Sequence, residues 1–391
     1  MSNYILFDDA TRRHLLPLTF TRPVADLRIG ILTIRQKWER ALNQPTSTLT
    51  APYLQDLFPM NWAKKSVNVF INASILPNKD LLLQIENLGV NEAIVDENII
   101  LAAKNDRSHP HILHKSTNEQ IPLITSFQTH SPDAPYQKLN HVWDIFGYNS
   151  EAIQHDFEML TFNQTSENSS ATNTLLNPNN IFIAEGASVQ GAFLNATNGP
   201  IYIGKNATVM EGSLIRGPFA LCENGVVKMG TKIYGGTTIG PYAKVGGEIS
   251  NSVIWGYSNK GHDGYLGNSV LGAWCNLGAD TNSSNLKNNY SEVKVWNYGA
   301  EDFVESGQQF CGLIMGDHSK SGINTMFNTG TVVGTATNVF GSDFPSKFIP
   351  SFSWGGGKDF TTHKIDKAID TARRMYARRG LVFSELEEDV L

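Results

Sequence analysis

One histidine stands where a repeat breaks, and the residues after it are spaced for work on a polar reactant. In residues 260–285, KGHDGYLGNSVLGAWCNLGADTNSSN, His262 is followed by Tyr265, Asn276 and Asn285. Imidazole is the side chain whose ordinary pKa lies near neutrality, so it can take a proton from a nucleophile at operating pH. A side-chain amide and the backbone N–H groups of 276–285 offer preorganised donors to a developing oxyanion. A histidine in a loop is by default a solvated residue; a tyrosine and two asparagines at fixed offsets make this one a candidate base.

The element that must position these residues is written just before them. Ile203, Val209, Ile215, Leu221, Val227, Ile233, Ile239 and Val245 recur at every sixth position, separated largely by Gly, Asn, Thr, Lys and Pro. A period of six matches neither the helical 3.6 nor strand alternation. It matches a coil of short parallel strands, each hexapeptide turning one corner and sending one aliphatic side chain inward. After Val245 the register slips, and it resumes with Leu266-Gly267, Leu271-Gly272 and Leu277-Gly278. The slip, residues 259–265, reads as a loop on a rigid scaffold, the usual place for function. Beyond 290 the pattern loosens but continues through 311–316 and 331–334.

The first 162 residues have a different grammar. Short β-rich runs at 2–8, 67–71, 90–95, 99–103 and near 121–127 alternate with helical spacing at 29–42 and 79–87, with 155–160 closing the unit, as in an α/β layer domain. Two prolines make Leu15–Pro23 extended. The boundaries expected are 1–162 for this domain, 163–180 for an Asn/Ser/Thr-rich linker, 181–360 for the coil and 361–391 for a terminal helix and cap. That last helix carries Lys364, Lys367, Arg373, Arg374, Arg378 and Arg379 around an apolar face. Capping the last coil is the reading favoured for it; the alternative is that its cations meet a phosphate of a ligand or a neighbouring subunit. At 391 residues two domains are the natural expectation, and a net charge of −6 argues against a nucleic-acid partner. Three scattered cysteines without a CxxC pair argue for a reducing compartment and against structural zinc. No secretory or membrane-spanning run is visible, so a cytoplasmic location without a membrane partner is expected.

The 260–285 stretch resembles the acetyltransferase site of bifunctional N-acetylglucosamine-1-phosphate uridylyltransferase/glucosamine-1-phosphate N-acetyltransferases, in which H-x-x-Y-x-G precedes N-[IL]-G-A-G-T and a further Asn. That resemblance implies His262 as the catalytic base, Tyr265, Asn276 and Asn285 as sugar-binding residues, and Ala279 as a backbone contact of acetyl-CoA. Acetyl transfer to an amine requires the neutral amine, which is the task of the base. Leu16-Pro17-Leu18-Thr19-Phe20-Thr21-Arg22-Pro23 is similar to the L-x-P-L-T-x-x-R-P segment of sugar-1-phosphate nucleotidyltransferases, with Arg13 near their loop arginine. The resemblance thus implies a Rossmann-like α/β nucleotidyltransferase-like domain joined to a single-stranded left-handed parallel β-helix. It further implies Mg²⁺ and UTP at the front, phosphate contacts from Arg13 and Arg22 (with Arg28 a further cation), sugar phosphates as substrates, and a homotrimer.

The chain departs from the pattern in places. The family's phosphate-binding lysine is Ser250, with Lys228, Lys232, Lys244 and Arg216 as open replacements, and the third glycine of G-A-G-T is Asp280. At the front, Phe7-Asp8-Asp9-Ala10 replaces the glycine-rich loop, Val24 follows Arg-Pro where a lysine is expected, and Ala73-Ser74 stands for the metal-binding Gly-Asp. Two rival readings stay open. One is another sugar-1-phosphate nucleotidyltransferase, for instance for glucose-1-phosphate and dTTP, with an inert helix; the other is a non-catalytic regulatory or assembly subunit.

Overall fold

The structure, a computed structural model, describes residues 2–63, 67–105, 127–357 and 359–391. In the front domain β1 (Asn3–Phe7) is apolar along its second half, lies next to the edge strand of one sheet and is buried on both faces. It pairs in parallel with β2 (Thr46–Leu49) and β3 (Asn68–Asn72). Beyond β3 the sheet turns antiparallel through β5 (Ile99–Asn105) and β4 (Glu92–Asp96), and ends on β6 (Gln128–His130), in the order β2-β1-β3-β5-β4-β6. The element expected near 121–127 lies outside the described residues except at Phe127.

Helix α1 (Ile34–Leu42) starts later than residue 29 because Thr33 and Gln36 form a reciprocal cap that sets its first turn. Helix α2 (Lys79–Asn87) is capped by Asn78, and α3 (Asp144–Gly147) runs into α4 (Asn149–Thr161). Residues 10–23 are not extended. Asp9 caps a 3₁₀ helix over Ala10–Leu15, and turns close on Leu18 N–H to Leu15 O (3.0 Å) and Phe20 N–H to Pro17 O (3.3 Å). The local cap wins over the extended bias of the prolines.

The second half is the β-helix. Its three flat sides are sheets of 8, 9 and 10 strands, and the chain visits each side once per coil. A regular coil takes 18 residues, as in the register Ile201↔Phe219↔Thr237, and the helix is of the left-handed hexapeptide class. Strand Thr174–Leu176 already pairs in parallel with Phe193–Asn195, so the coil begins inside the stretch expected as linker and not at 181. One excursion interrupts the stack between Ser283 and Ile314. It folds as a hairpin of Lys294–Asn297 on Asp302–Glu305 and reaches the front domain, where His14 Nδ1 meets Asn297 Oδ1 at 2.9 Å.

The front domain lies flat on one side of the helix. On that side Val253, Val270, Ile314 and Val332 face out into the α/β core, while their neighbours Ile254, Leu271, Met315 and Val333 face into the coil. A sheet covered on both faces is apolar at both alternations. The docking is pinned by polar bonds: Asn149 Nδ2 donates to Gly236 O at 2.7 Å, and the Arg22 guanidinium pairs with buried Asp317.

The carboxyl-terminal helix does not cap the last coil. That end is closed by the hairpin Ser353–Gly356 on Asp359–Thr362, and α5 (Ile365–Ala377) instead runs back along the stack until Tyr376 stacks on Trp274 with ring centres 4.2 Å apart. A short helix α6 (Glu385–Val390) follows. The docking platform is a corner of the coil where successive residues take left-handed backbone: Tyr242 (φ 60), Tyr257 (φ 62) and Trp274 (φ 61). Large residues rarely adopt that conformation. Here each ring stacks on the next, Tyr242 on Tyr257 at 4.9 Å and Tyr257 on Trp274 at 4.2 Å, and this contact offsets the strain.

Candidate functional site

The loop 261–264 joins strands Asn259–Lys260 and Tyr265–Gly267 and carries His262 out of the coil, exposed. Gly264 makes the return possible: its φ is +111, and a Cβ there would lie 2.2 Å from Thr281 O. His262 stands on the wall of a cleft of about 480 Å³ between the helix and α5. Asn276, carried one coil on, lines the same cleft and accepts from Asn259 Nδ2 at 2.9 Å. Tyr257 and Trp274 form an aromatic wall.

Charge defines this cleft. Lys228, Lys244, Lys320, Arg378 and Arg379 line it, and its described lining holds no carboxylate. The crowding is visible in the ammonium groups. Burial lowers the Lys244 pKa, and Arg379, Lys228 and Arg378 push it the same way. Burial drops that of Lys320 to about 8. Such a set suits an anion that presents several oxygens to it.

Tyr265 and Asn285 lie around the corner from this cleft. Asn285 Nδ2 donates to the Tyr265 hydroxyl at 3.0 Å and to Asn268 Oδ1 at 2.8 Å, and burial raises the Tyr265 pKa. The structure therefore brings His262 and Asn276 together in one cleft, and Tyr265 and Asn285 together on the adjoining side. Ala279 sits in the turn after Asn276, its carbonyl accepting from Asn324 N–H at 2.9 Å. Of the replacements open for the lysine absent at Ser250, Lys228 and Lys244 face the His262 cleft. Arg216 and Lys232 line a separate groove with Leu176, Phe193, Leu214 and Tyr234.

Sequence reasoning passed over Lys320 and Asn259. The signal lay in the column of one side of the coil, Lys244–Asn259–Asn276–Lys320, which is consecutive in the register.

At the front, the expected phosphate residues part company. Arg22 is not free to clamp a nucleotide: it is paired with Asp317 of the β-helix and lies over the Trp255 ring at 4.8 Å. Arg28 is likewise turned to the domain boundary, bonding Ile31 O. Arg13 is exposed on the 3₁₀ helix. Asp8 is buried, accepting from Val24 N–H at 2.9 Å and Thr50 Oγ1 at 2.5 Å, and burial pushes its pKa up to about 7. Asp9 accepts from Thr11 N–H at 3.0 Å and Asn72 Nδ2 at 2.9 Å, with Lys138 Nζ 3.6 Å away. The two carboxylates at the end of β1 are thus answered by protein donors. Among the described residues no group of three or more His, Cys, Asp and Glu side chains is placed to hold a metal ion. Lys138, which no motif marks, is the cation that the fold brings to this edge.

Residues 4–165 match the family model described as sugar nucleotidyl transferase. Among curated proteins, the bifunctional protein GlmU of Methanocaldococcus jannaschii is 31% identical over 140 residues, which is 36% of this chain and 29% of that protein. A bifunctional sugar-1-phosphate nucleotidylyltransferase/acetyltransferase of Sulfurisphaera tokodaii is 33% identical over 93 residues, 24% of this chain and 23% of that one. The chain thus spans less than a third of the length of these relatives. Among solved structures, the polySia-specific acetyltransferase NeuO aligns with 55% of this chain and 97% of its own at 11% identity and a TM-score of 0.26. No helix among the described residues is long and apolar enough to cross a membrane.

Proposed function

We propose, taking residues 4–165 as a sugar nucleotidyl transferase domain, that this chain is a transferase that joins sugar-1-phosphate nucleotidyl transfer to acetyl transfer on the β-helix. The β-helix acetylates glucosamine-1-phosphate from acetyl-CoA, and the front domain moves UMP from UTP to the product, giving UDP-N-acetylglucosamine. The observation that carries this reading is the carboxylate-free cleft of five cations with His262 and Asn276 on its wall. A thioester substrate with a phosphate-rich handle needs such a grip beside a base, and an inert scaffold has no use for it.

The steps assigned to the chain are these. The lysines, Arg378 and Arg379 bind the phosphates of the acetyl donor. His262 takes the proton from the sugar amine as nitrogen attacks the thioester carbonyl, and the carbonyl oxygen becomes an oxyanion. Asn276 and neighbouring backbone N–H groups stabilise that oxyanion until the CoA thiolate leaves and takes up a proton. Tyr265 and Asn285 orient the sugar, whose site a second copy completes in a homotrimer. At the front a sugar phosphate oxygen attacks the α-phosphorus of UTP and pyrophosphate leaves; Arg13 and Lys138 are the cations assigned to phosphate there. Any Mg²⁺ comes in with the nucleotide, held mainly by its phosphates. The setting assigned is the cytoplasm.

The test is acetyl-CoA turnover with glucosamine-1-phosphate by wild type and His262→Ala. The substitution should lower kcat about 10²–10⁴-fold with the fold intact, the range of a lost general base. An unchanged rate would remove His262 from the chemistry. The same preparation given UTP and N-acetylglucosamine-1-phosphate should release pyrophosphate; silence with each of the four nucleotides would leave an idle front domain.

A further inference from the structure

We infer that Lys260 is a positioning residue: from inside the coil its amine holds the backbone of the 261–264 loop and thereby aims His262 into the cleft. The inference rests on the acyl-transfer reading of that cleft.

Lys260 occupies a slot that belongs to an aliphatic residue. It pairs in register with Val245, which follows Val227 and Val209 on the same inward column, and it is 2% exposed. Burying a primary amine in an apolar coil costs several kcal/mol unless its donors are met. They are met by main chain: Nζ donates to His262 O at 2.7 Å, to Gly246 O at 3.0 Å and to Asp263 O at 3.3 Å. Three N–H bonds meet three carbonyls, two of them in the loop. The loop also rests on glycine, since a Cβ on Gly247 would lie 2.9 Å from His262 O and one on Gly246 2.9 Å from Gly261 O.

No described side chain hydrogen-bonds the His262 ring, so what the structure fixes is the backbone from which the imidazole projects. That backbone is fixed from beneath by one amine. Were the slot aliphatic, the coil would keep its packing, but the His262 and Asp263 carbonyls would lose their donor and turn to water. A base displaced by about 1 Å can cost 10²-fold in rate.

A second consequence follows from protonation. Burial brings the Lys260 pKa down to about 8, against the pull of the Asp263 and Asp280 carboxylates, which raise it. Above that pH the amine keeps two N–H groups for three carbonyls, and the grip loosens.

The experiment uses the full chain and two variants, Lys260→Met, which keeps volume and removes all donors, and Lys260→Gln, which keeps two. Hydrogen exchange of amides 261–265 is read beside acetylation kinetics. In Lys260→Met, exchange at 261–265 should rise at least tenfold while 203–239 stays as in wild type. The acetylation kcat should fall about 10–100-fold with KM for acetyl-CoA within about twofold, as for a misplaced group rather than a lost binding contact. Lys260→Gln should lie between, and it carries the comparison should the Met variant not fold. The alkaline fall of wild-type kcat above pH 8 should be absent in Lys260→Met. Unchanged exchange in both variants overturns the inference, as does raised exchange with unchanged kcat. If wild type acetylates nothing, the acyl-transfer reading fails by itself. The positioning of His262 is then judged by exchange together with the rate of its modification by diethylpyrocarbonate, and an unchanged modification rate overturns it.

Discussion

Asp8 and Asp9 look alike in sequence and have opposite fates. Asp9 stays at the lip of the front domain, while Asp8 turns inward and ties β1 to Val24 and Thr50. Burial raises the Asp8 pKa to about 7, against about 3.9 for an unfolded aspartate. Between those values the native state holds a proton that the unfolded chain has lost, so stability falls as pH rises through that window. The melting temperature of wild type should therefore decline from pH 4.5 to 7.5 by more than that of Asp8→Asn, whose amide carries no charge at either end. Identical declines in the two proteins would place the pH dependence elsewhere. This is also where sequence reading stops. A pair of adjacent carboxylates does not say which will be consumed by the fold, because beside nearby Arg12 the donors that meet them, Val24 N–H, Thr50 and Lys138, are far away along the chain.

The elements divide in the same way. Eight hexapeptides are legible because each coil is specified by residues next to one another, and the break at 259–265 marks the loop that carries His262. The pairs Val253-Ile254, Val270-Leu271, Ile314-Met315 and Val332-Val333 also announce a side of the coil buried on both faces. The path of α5 is not legible in the same sense. Its cations and apolar face are plain, but a helix with that pattern would serve equally as an end cap, and only the Trp274 platform selects the flank. Because Tyr376 is the contact that seats the helix, Tyr376→Ala should withdraw Arg378 and Arg379 from the cleft while leaving His262 alone. Two lost phosphate contacts, at roughly 0.5–1 kcal/mol each, should raise KM for acetyl-CoA about 5–30-fold with kcat within about threefold. The effect should shrink in high salt. A fall in kcat at unchanged KM would mean that α5 serves the chemistry and not the grip.

The two halves behave as one body because one core crosses between them. Trp255, Trp274 and the outward valines of the coil belong to the same apolar cluster as Leu18, Ile29 and Ile145 of the front domain. At its edge Arg22 meets Asp317, whose side chain is 4% exposed and also accepts from Thr21 Oγ1 at 2.6 Å and Ala273 N–H at 2.8 Å. A phosphate clamp expected at Arg22 has become a bolt between domains, which the motif Thr-Arg-Pro alone does not reveal. Removing one partner of a buried pair leaves the other charge stranded, at a cost of about 3–5 kcal/mol, whereas removing both charges costs far less. Arg22→Met should therefore lower the denaturant midpoint of the whole chain, front domain and β-helix together. Arg22→Met with Asp317→Asn should recover most of the loss, since an asparagine can still accept from Ala273 N–H through Oδ1 while its Nδ2 donates to the Thr21 hydroxyl. Trp255 lies under the Arg22 guanidinium, 4.8 Å from it, so the part of the seven-tryptophan fluorescence that Trp255→Phe removes reports on the boundary, while hydrogen exchange of amides 201–249 reports on the coil. Coincident transitions by both probes in all variants are the signature of a shared core. If the boundary signal melts first in Arg22→Met while the coil keeps its midpoint, the front domain is an appended unit and the bolt is local.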